Sequence, residues 1–455
     1  MKSVAVIGSG ITGLATAYRL NKLGFQVTVL EKKDSIGGVI QTVFENGFIA
    51  ESGPNTMRVL DEELDHFLKE INIENKIIET DPRIKRRFVV KKGKPVPLPQ
   101  SPFSLITSPL FSALAKLRLL QEPLIKKRTI NDEECLADFT RRRLGKEALD
   151  YAINPLAAGV YAGDPEKLSA KYAFPLFYNL ENEYGSLIIG GVKSRRKSRG
   201  SHPPFKKRIV SFKKGMGTLG EAIALNLTHP VQTGIEITSI NKKDKWNIIW
   251  KKNEEHKEDI FDALVTTTPT HSMASLPFDK NISSSLDQLG SIPYTPISIL
   301  VFGFKREHVQ HPLDGFGMLV PEKEKMNILG TLFTSSVFPS HAPEGHVLLT
   351  TFIGGARQPD VATAPLDEQK SLVINDLDQL LGIKGDPVYF KQFHWHNAIP
   401  QFNIGHNRYL EIIEEIESDN PNLYISGSYR TGVAVGKCLL AGLSTADKIN
   451  LSLST

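Results

Sequence analysis

Cysteine is scarce in this chain: Cys135 and Cys438 are the only two in 455 residues. Without metal-ligand spacing around them, they argue against a disulfide scaffold and a structural zinc site and fit a reducing cytoplasm. Long apolar runs are missing as well. The longest uncharged stretch, Pro95 to Ala115, covers 21 residues but holds prolines 95, 97, 99, 102 and 109. A spanning helix needs about 20 mostly apolar residues with every backbone group bonded, so this stretch does not qualify. Met1-Lys2-Ser3-Val4 runs straight into a strand-like segment and lacks the pattern of a cleaved signal. Acids are absent from Tyr184 to Gly220, where ten bases lie: Lys193, Arg195, Arg196, Lys197, Arg199, Lys206, Lys207, Arg208, Lys213 and Lys214. Elsewhere 45 bases face 50 acids, so the net charge of +5 is a local excess, and no nucleic-acid partner is implied.

What is present is a globular composition, 40% apolar and 23% charged, with length for two or three domains. The first fifty residues carry the clearest chemistry. Lys2 to Ile7 reads as a strand, followed at once by Gly8-Ser9-Gly10-Ile11-Thr12-Gly13. Leu14 to Leu23 has helical apolar spacing, Phe25 to Leu30 reads as a second strand, and Glu31 closes it. This strand–glycine turn–helix order predicts a dinucleotide site. Gly8 permits the turn, Gly10 lets a pyrophosphate approach the backbone, and Gly13 lets helix and strand pack closely. The helix N-terminus offers free N–H groups to the phosphates. Glu31 can accept from the ribose hydroxyls.

Glu31 is followed by Lys32-Lys33-Asp34-Ser35-Ile36-Gly37-Gly38. An acid, five residues and a glycine pair resembles flavoproteins of the glutathione-reductase and amine-oxidase type. In them the paired glycines bring a second loop to the FAD phosphates. Glu51-Ser52-Gly53-Pro54-Asn55-Thr56 resembles their next flavin-contacting segment, which implies roles for Gly53, Pro54, Asn55 and Thr56. A second literal motif, Gly215-Met216-Gly217-Thr218-Leu219-Gly220, would imply a nicotinamide site. Lys213-Lys214 precede it and no apolar strand is expected to run into it. It resembles instead the turn-to-helix piece of flavin oxidases, with Gly234 to Ile240, including Ile237, as the strand beside the adenine. Near the C-terminus, the strand Asn422 to Ile425 leads into Ser426-Gly427-Ser428-Tyr429-Arg430-Thr431-Gly432 and a helix from Val433 to Ile449. Gly427, Val433, Ala434 and Val435 then form a second helix-terminus site, suited to the negative charge of a reduced flavin.

The stretch Asn154-Pro155-Leu156-Ala157-Ala158-Gly159-Val160-Tyr161-Ala162-Gly163-Asp164-Pro165-Glu166-Lys167-Leu168-Ser169 resembles the oxygen-dependent, flavin-containing protoporphyrinogen oxidases. So do Tyr184 to Gly191, Gly427 to Cys438, and Trp395-His396-Asn397-Ala398-Ile399-Pro400-Gln401, whose Trp395 is expected beside the flavin. The resemblance implies noncovalent FAD, a porphyrinogen oxidised in three two-electron steps, and O2 as acceptor with peroxide released. It implies Arg87, within Arg87-Phe88-Val89-Val90, as the propionate-binding guanidinium and Gly159 as a point of close macrocycle approach. No general base stands out. Coproporphyrinogen III remains an alternative substrate to protoporphyrinogen IX. A non-catalytic flavin protein, or an amine oxidase or desaturase, is a further alternative. The Pro95–Arg128 segment, leucines mixed with bases, fits either a helix on an anionic membrane surface or one packed on its own domain. Peripheral contact with the inner face of the cell membrane, handover to a ferrochelatase and a homodimer are the partners consistent with the resemblance.

The expected fold is α/β plus α+β. A discontinuous Rossmann-like FAD domain takes residues 1–80, 211–270 and 386–455. A helical, membrane-facing lobe takes 81–210, and a mixed-sheet substrate domain takes 271–385. The basic run 193–208 reads as a solvated surface loop. His394-Trp395-His396 could pair two metal ligands on one strand face, but no third ligand lies near in sequence, and no metal site is expected.

Overall fold

Runs rich in β-branched residues set the first sheet. In the computed structural model, which describes residues 1–128, 133–197 and 205–454, Leu423–Ile425, Ala263–Thr266, Ser3–Ile7 and Gln26–Leu30 lie side by side and parallel. All four runs are mostly buried, as expected of a parallel sheet covered on both faces. The helices Ile11–Lys22 and Val435–Ser454 cross beside it. They pack so closely that a Cβ at Gly442 would lie 2.4 Å from the Thr12 carbonyl oxygen. The chain has a mixed α/β fold.

A seven-stranded sheet forms the second body. Its order is Tyr389–Pro400, Tyr294–Lys305, His346–Gly354, Ile328–Leu332, Gly315–Leu319, Arg86–Lys91 and Lys94–Pro97. Only the pairing of Gly315–Leu319 with Arg86–Lys91 is parallel. Alternation gives the sheet two faces. Phe88, Val90, Leu300 and Phe302 pack with Val373 and Leu377 of the helix Leu366–Leu381. On the other face Ile297, Ile299 and Val301 meet Phe48, Ala50, Ala158 and Ala162, and Val89 meets Leu110, Phe111 and Tyr151. That second face packs on the strand Phe48–Glu51 and on the helical lobe.

The sheet draws strands from both sides of the boundaries expected at 81 and 386. Residues 86–97 lie in it rather than in a helical lobe, and 389–400 lie in it rather than with the C-terminal flavin segment. Partners far away in sequence decide this: Met318 pairs with Phe88 and Ile299 with Phe393.

The lobe itself is helical, with Pro102–Thr107, Ala113–Leu120, Leu136–Arg143, Asn154–Tyr161, Pro175–Tyr184 and Leu187–Lys197. Glu122 and Arg143, both fully buried, form an ion pair at its centre. Glu122 also accepts from the Ser186 hydroxyl at 2.6 Å and the Leu187 N–H at 2.9 Å, which caps the helix Leu187–Lys197. The basic run is therefore not one loop. Residues 193–197 continue that helix, 198–204 lie outside the described residues, and Arg208 sits in the strand Arg208–Phe212, ion-paired with Asp65 and Glu79. Among the described residues no helix is long and apolar enough to cross a membrane.

Candidate flavin and substrate site

The glycine turn closes by contact. A Cβ at Gly13 would lie 2.0 Å from the Gly8 carbonyl oxygen and 2.6 Å from Thr267 Oγ1, so no larger residue fits. Gly8 has φ +99°, a value that glycine alone adopts readily. Thr267, which sequence reasoning missed, donates to the carbonyls of Ile7 and Gly8, both at 3.1 Å, and braces the turn from the next strand. Glu31 Oε2 accepts from the Ser9 N–H at 2.8 Å and the Ser9 hydroxyl at 2.7 Å, and Oε1 from the Lys33 N–H at 2.9 Å. A carboxylate has about four acceptor sites, so it keeps capacity for a further donor. Lys32, beside it, is exposed.

The second loop comes to the first. Gly37 donates its N–H to the Ser9 carbonyl at 2.9 Å, and a Cβ at Gly38 would stand 3.2 Å from the Gly10 Cα. A Cβ at Gly53 would stand 2.5 Å from the Val39 carbonyl oxygen. Residues 232–235 run beside Glu31, with Ile235 donating its N–H to the Glu31 carbonyl at 2.9 Å, and lead into the strand Glu236–Lys242 that carries Ile237. The C-terminal turn arrives from the other side. The strand Met57–Val59, which follows Pro54-Asn55-Thr56, meets the start of the last helix: a Cβ at Gly436 would lie 3.1 Å from the Arg58 carbonyl oxygen. Gly427 and Val435 are buried, Val433 is half-buried and Ala434 is exposed. Trp395 donates its indole N–H to the Ser52 carbonyl at 2.7 Å, and Lys33 lies over its ring at 5.0 Å.

Two features fit a bound dinucleotide. A Cβ at Gly10 would meet no atom within 4 Å, although Ser9, Ile11 and Thr12 around it are buried. The N-terminus of the helix Ile11–Lys22 has no side-chain cap and no acid in its first turn. The second is Asn55 Oδ1, a buried acceptor without a partner. Cys438 is buried in the last helix, and burial pushes its thiol up to about 11, so it is a poor nucleophile.

The second glycine motif is turned another way. A strand, Arg208–Phe212, does run into it, contrary to expectation. That strand pairs antiparallel with Met57–Val59 and Ile77–Glu79, so no parallel nucleotide-binding unit forms. The N–H groups of the turn point into protein: Met216 donates to Glu51 at 2.8 Å and Gly217 to Thr42 at 2.9 Å. Glu51, at 1% exposure, was overlooked as an individual site residue, because nothing local marks it apart from the segment it opens.

On the substrate side, Arg87 and Val89 share the sheet face toward the lobe. Three nearby bases are occupied: Arg83 with Asp81, Arg86 with Asp314 and Lys91 with Glu147. Arg87 has no ion pair among the described residues and lies over the Phe316 ring at 5.4 Å. Five strand steps separate the strands of Arg87 and Trp395, roughly 24 Å at about 4.8 Å per step. Gly159 is exposed, yet a Cβ there would stand 2.8 Å from Leu319 Cδ2, so the glycine also serves packing between its helix and Gly315–Leu319.

The histidine pair makes a local chain. His394 Nδ1 lies 2.9 Å from Ser298 Oγ and His394 Nε2 lies 3.3 Å from His396 Nδ1. Cys135, Asp138 and Glu166 also cluster, with Arg141 already paired to both carboxylates.

Comparison with known proteins agrees with this geometry. Residues 11–450 match the family described as flavin-containing amine oxidoreductases. Protoporphyrinogen oxidase 2, chloroplastic/mitochondrial, of Arabidopsis thaliana is 34% identical over 98% of this chain and 94% of that one. Coproporphyrinogen III oxidase of Bacillus subtilis (strain 168) is 28% identical over 97% and 96%. The crystal structure of a putative protoporphyrinogen oxidase from Exiguobacterium sp. 255-15 superposes with TM-score 0.82 at 21% identity, covering 99% of each chain.

Proposed function

We propose a reaction for a chain that belongs to the flavin-containing amine oxidoreductases and, among them, to the protoporphyrinogen and coproporphyrinogen oxidase family. The reaction is oxidation of protoporphyrinogen IX to protoporphyrin IX, with noncovalent FAD as the carrier and O2 as the final acceptor. The observation that carries it is a 34% identity with a protoporphyrinogen oxidase over 98% of the chain. FAD, when bound, supplies two-electron acceptance.

The chain's own residues do the rest. The turn Gly8–Gly13 and the pair Gly37–Gly38 hold the pyrophosphate, Glu31 the ribose and Ile237 the adenine side. Gly53 to Thr56, Gly427, Val433 to Val435 and Trp395 surround the flavin ring, and the N–H groups at the start of the last helix favour negative charge there. Arg87, free of acidic partners, takes a propionate by a bidentate contact. Gly159 leaves the macrocycle close to the backbone. On this strand Arg87 alone offers an unpaired guanidinium, Arg86 being engaged by Asp314, which suits a substrate whose propionates lie at one edge. Coproporphyrinogen III is the second reading. The relatives that bear its name and the exposed Arg58 and Lys94 favour it.

Membrane contact belongs to this proposal. The helix Ala113–Leu120 buries none of its residues, and Leu114, Leu117, Leu120 and Leu124 stand exposed with Phe103, Ile106 and Leu176. Lys126 and Lys127 follow directly. Such a surface fits the interface of an anionic bilayer, from which an apolar substrate arrives. The test is aerobic turnover of each porphyrinogen by FAD-loaded protein, read by porphyrin fluorescence and peroxide, with FAD released by acid. Turnover of neither substrate removes the proposal; turnover of coproporphyrinogen III alone moves it to the second reading.

A further inference from the structure

Glu51 ends the strand Phe48–Glu51 and is buried. Its Oε1 accepts from the Met216 N–H at 2.8 Å and its Oε2 from the Thr42 hydroxyl at 2.7 Å. The Thr42 oxygen accepts in turn from the Gly217 N–H at 2.9 Å. Among the described residues no charged group compensates the carboxyl; burial dominates its surroundings and pushes it up to about 7, against the two hydrogen bonds. A buried lone acid is a costly way to make two hydrogen bonds.

The turn it holds is shaped around it. A Cβ at Gly215 would fall 2.6 Å from Glu51 Oε1 and 2.3 Å from Thr42 Cγ2. On its other side Glu51 runs into Ser52 and then Gly53 to Thr56. The Ser52 carbonyl holds the Trp395 indole, and the Ser52 hydroxyl donates to the Val39 carbonyl at 2.9 Å, just beyond the Gly37–Gly38 pair. One carboxyl thus stands where three flavin-facing segments meet the second glycine turn.

We infer that Glu51 is a positioning residue that locks Ser52–Thr56 to the turn Gly215–Gly217 and so sets how tightly the flavin is held. The inference rests on the flavin site proposed above. Its chemistry is directional. Above about pH 7, where the carboxyl is ionised, two donors converge on it and it has an acceptor for each. A glutamine keeps one acceptor and turns the other into a donor, so Thr42 must reverse its hydroxyl while still accepting from Gly217.

The test uses full-length wild type, Glu51→Gln, Thr42→Val and Thr42→Ser. FAD affinity is measured by fluorescence titration, the flavin environment by visible absorption and circular dichroism, and apoprotein stability by thermal unfolding. Glu51→Gln and Thr42→Val should weaken FAD binding by about tenfold to hundredfold, the scale of a lost hydrogen bond to a charged group. They should also shift the flavin's visible bands, and Thr42→Ser should restore both. A lowered unfolding temperature with wild-type FAD affinity and unchanged bands would overturn the inference and leave Glu51 a structural residue. If Glu51→Gln does not fold, the Thr42 pair decides by the same two criteria. Wild-type protein that takes up no FAD would sink the flavin site itself, a distinct result.

Discussion

Arg87 and Arg86 are adjacent, identical in chemistry and different in circumstance. Asp314 takes Arg86, whereas Arg87 lies over the Phe316 ring and has no ion pair among the described residues. Arg87→Gln should lower kcat/KM for the porphyrinogen by about tenfold to hundredfold, mainly through KM, because it removes a contact remote from the reacting carbon. Arg86→Gln should change it little. Steady-state fluorescence assays of both variants check this. Two buried titrating groups set opposite pH limbs. Burial raises Glu51 from 4.5 to about 7, so its native form prefers the proton. The stability linked to that preference is complete below 4.5 and lost as pH rises through 7, about 3 kcal/mol in all. Wild type should therefore lose stability relative to Glu51→Gln between pH 5 and 8. His341, fully buried, is held down from 6.5 to about 4 by burial. Its contribution is present above 6.5 and lost as pH falls through 4, so His341→Gln should flatten the acid limb. Thermal unfolding across pH reads both. Neither group was legible in the sequence, because burial by distant segments leaves no local pattern.

At the scale of elements, local order made the first site readable and distant pairing hid the rest. Strand, glycine turn, helix, strand and acid follow each other within 31 residues, and the structure brings Gly8, Gly13, Glu31 and Gly37 together as that order suggests. Arg86–Lys91 looked like part of a basic, proline-rich lobe, yet it is a strand because Gly315–Leu319 lies beside it. The second glycine motif is a turn held by Glu51 and Thr42, a fact carried by residues more than 160 positions away. The helical lobe is built around a buried charge cluster. Glu122→Gln removes the nearer of Arg143's two acidic partners, leaving Glu181 at 3.6 Å, and should destabilise the lobe by about 1.5–3 kcal/mol. Calorimetry checks that, and proteolysis should open the Leu187–Lys197 helix first. The exposed leucines make a separate prediction. Leu117→Ser with Leu120→Ser should lower affinity for anionic vesicles, read by sedimentation, by about a hundredfold while turnover of detergent-dispersed substrate persists, since burial of one leucine is worth about 1.5–3 kcal/mol.

Across the whole molecule, one face of the seven-stranded sheet packs on the strand Phe48–Glu51 and on the helical lobe, and the strands that carry Arg87 and Trp395 stand five steps apart in it. The measurement that tests this account most directly is an anaerobic stopped-flow titration of the FAD-loaded protein with protoporphyrinogen IX and, separately, coproporphyrinogen III. Flavin absorbance is followed through mixing and again after air is admitted. The account predicts rapid bleaching by protoporphyrinogen IX, porphyrin fluorescence, and recovery of the flavin with peroxide once oxygen enters. A flavin left fully oxidised by both porphyrinogens would contradict it.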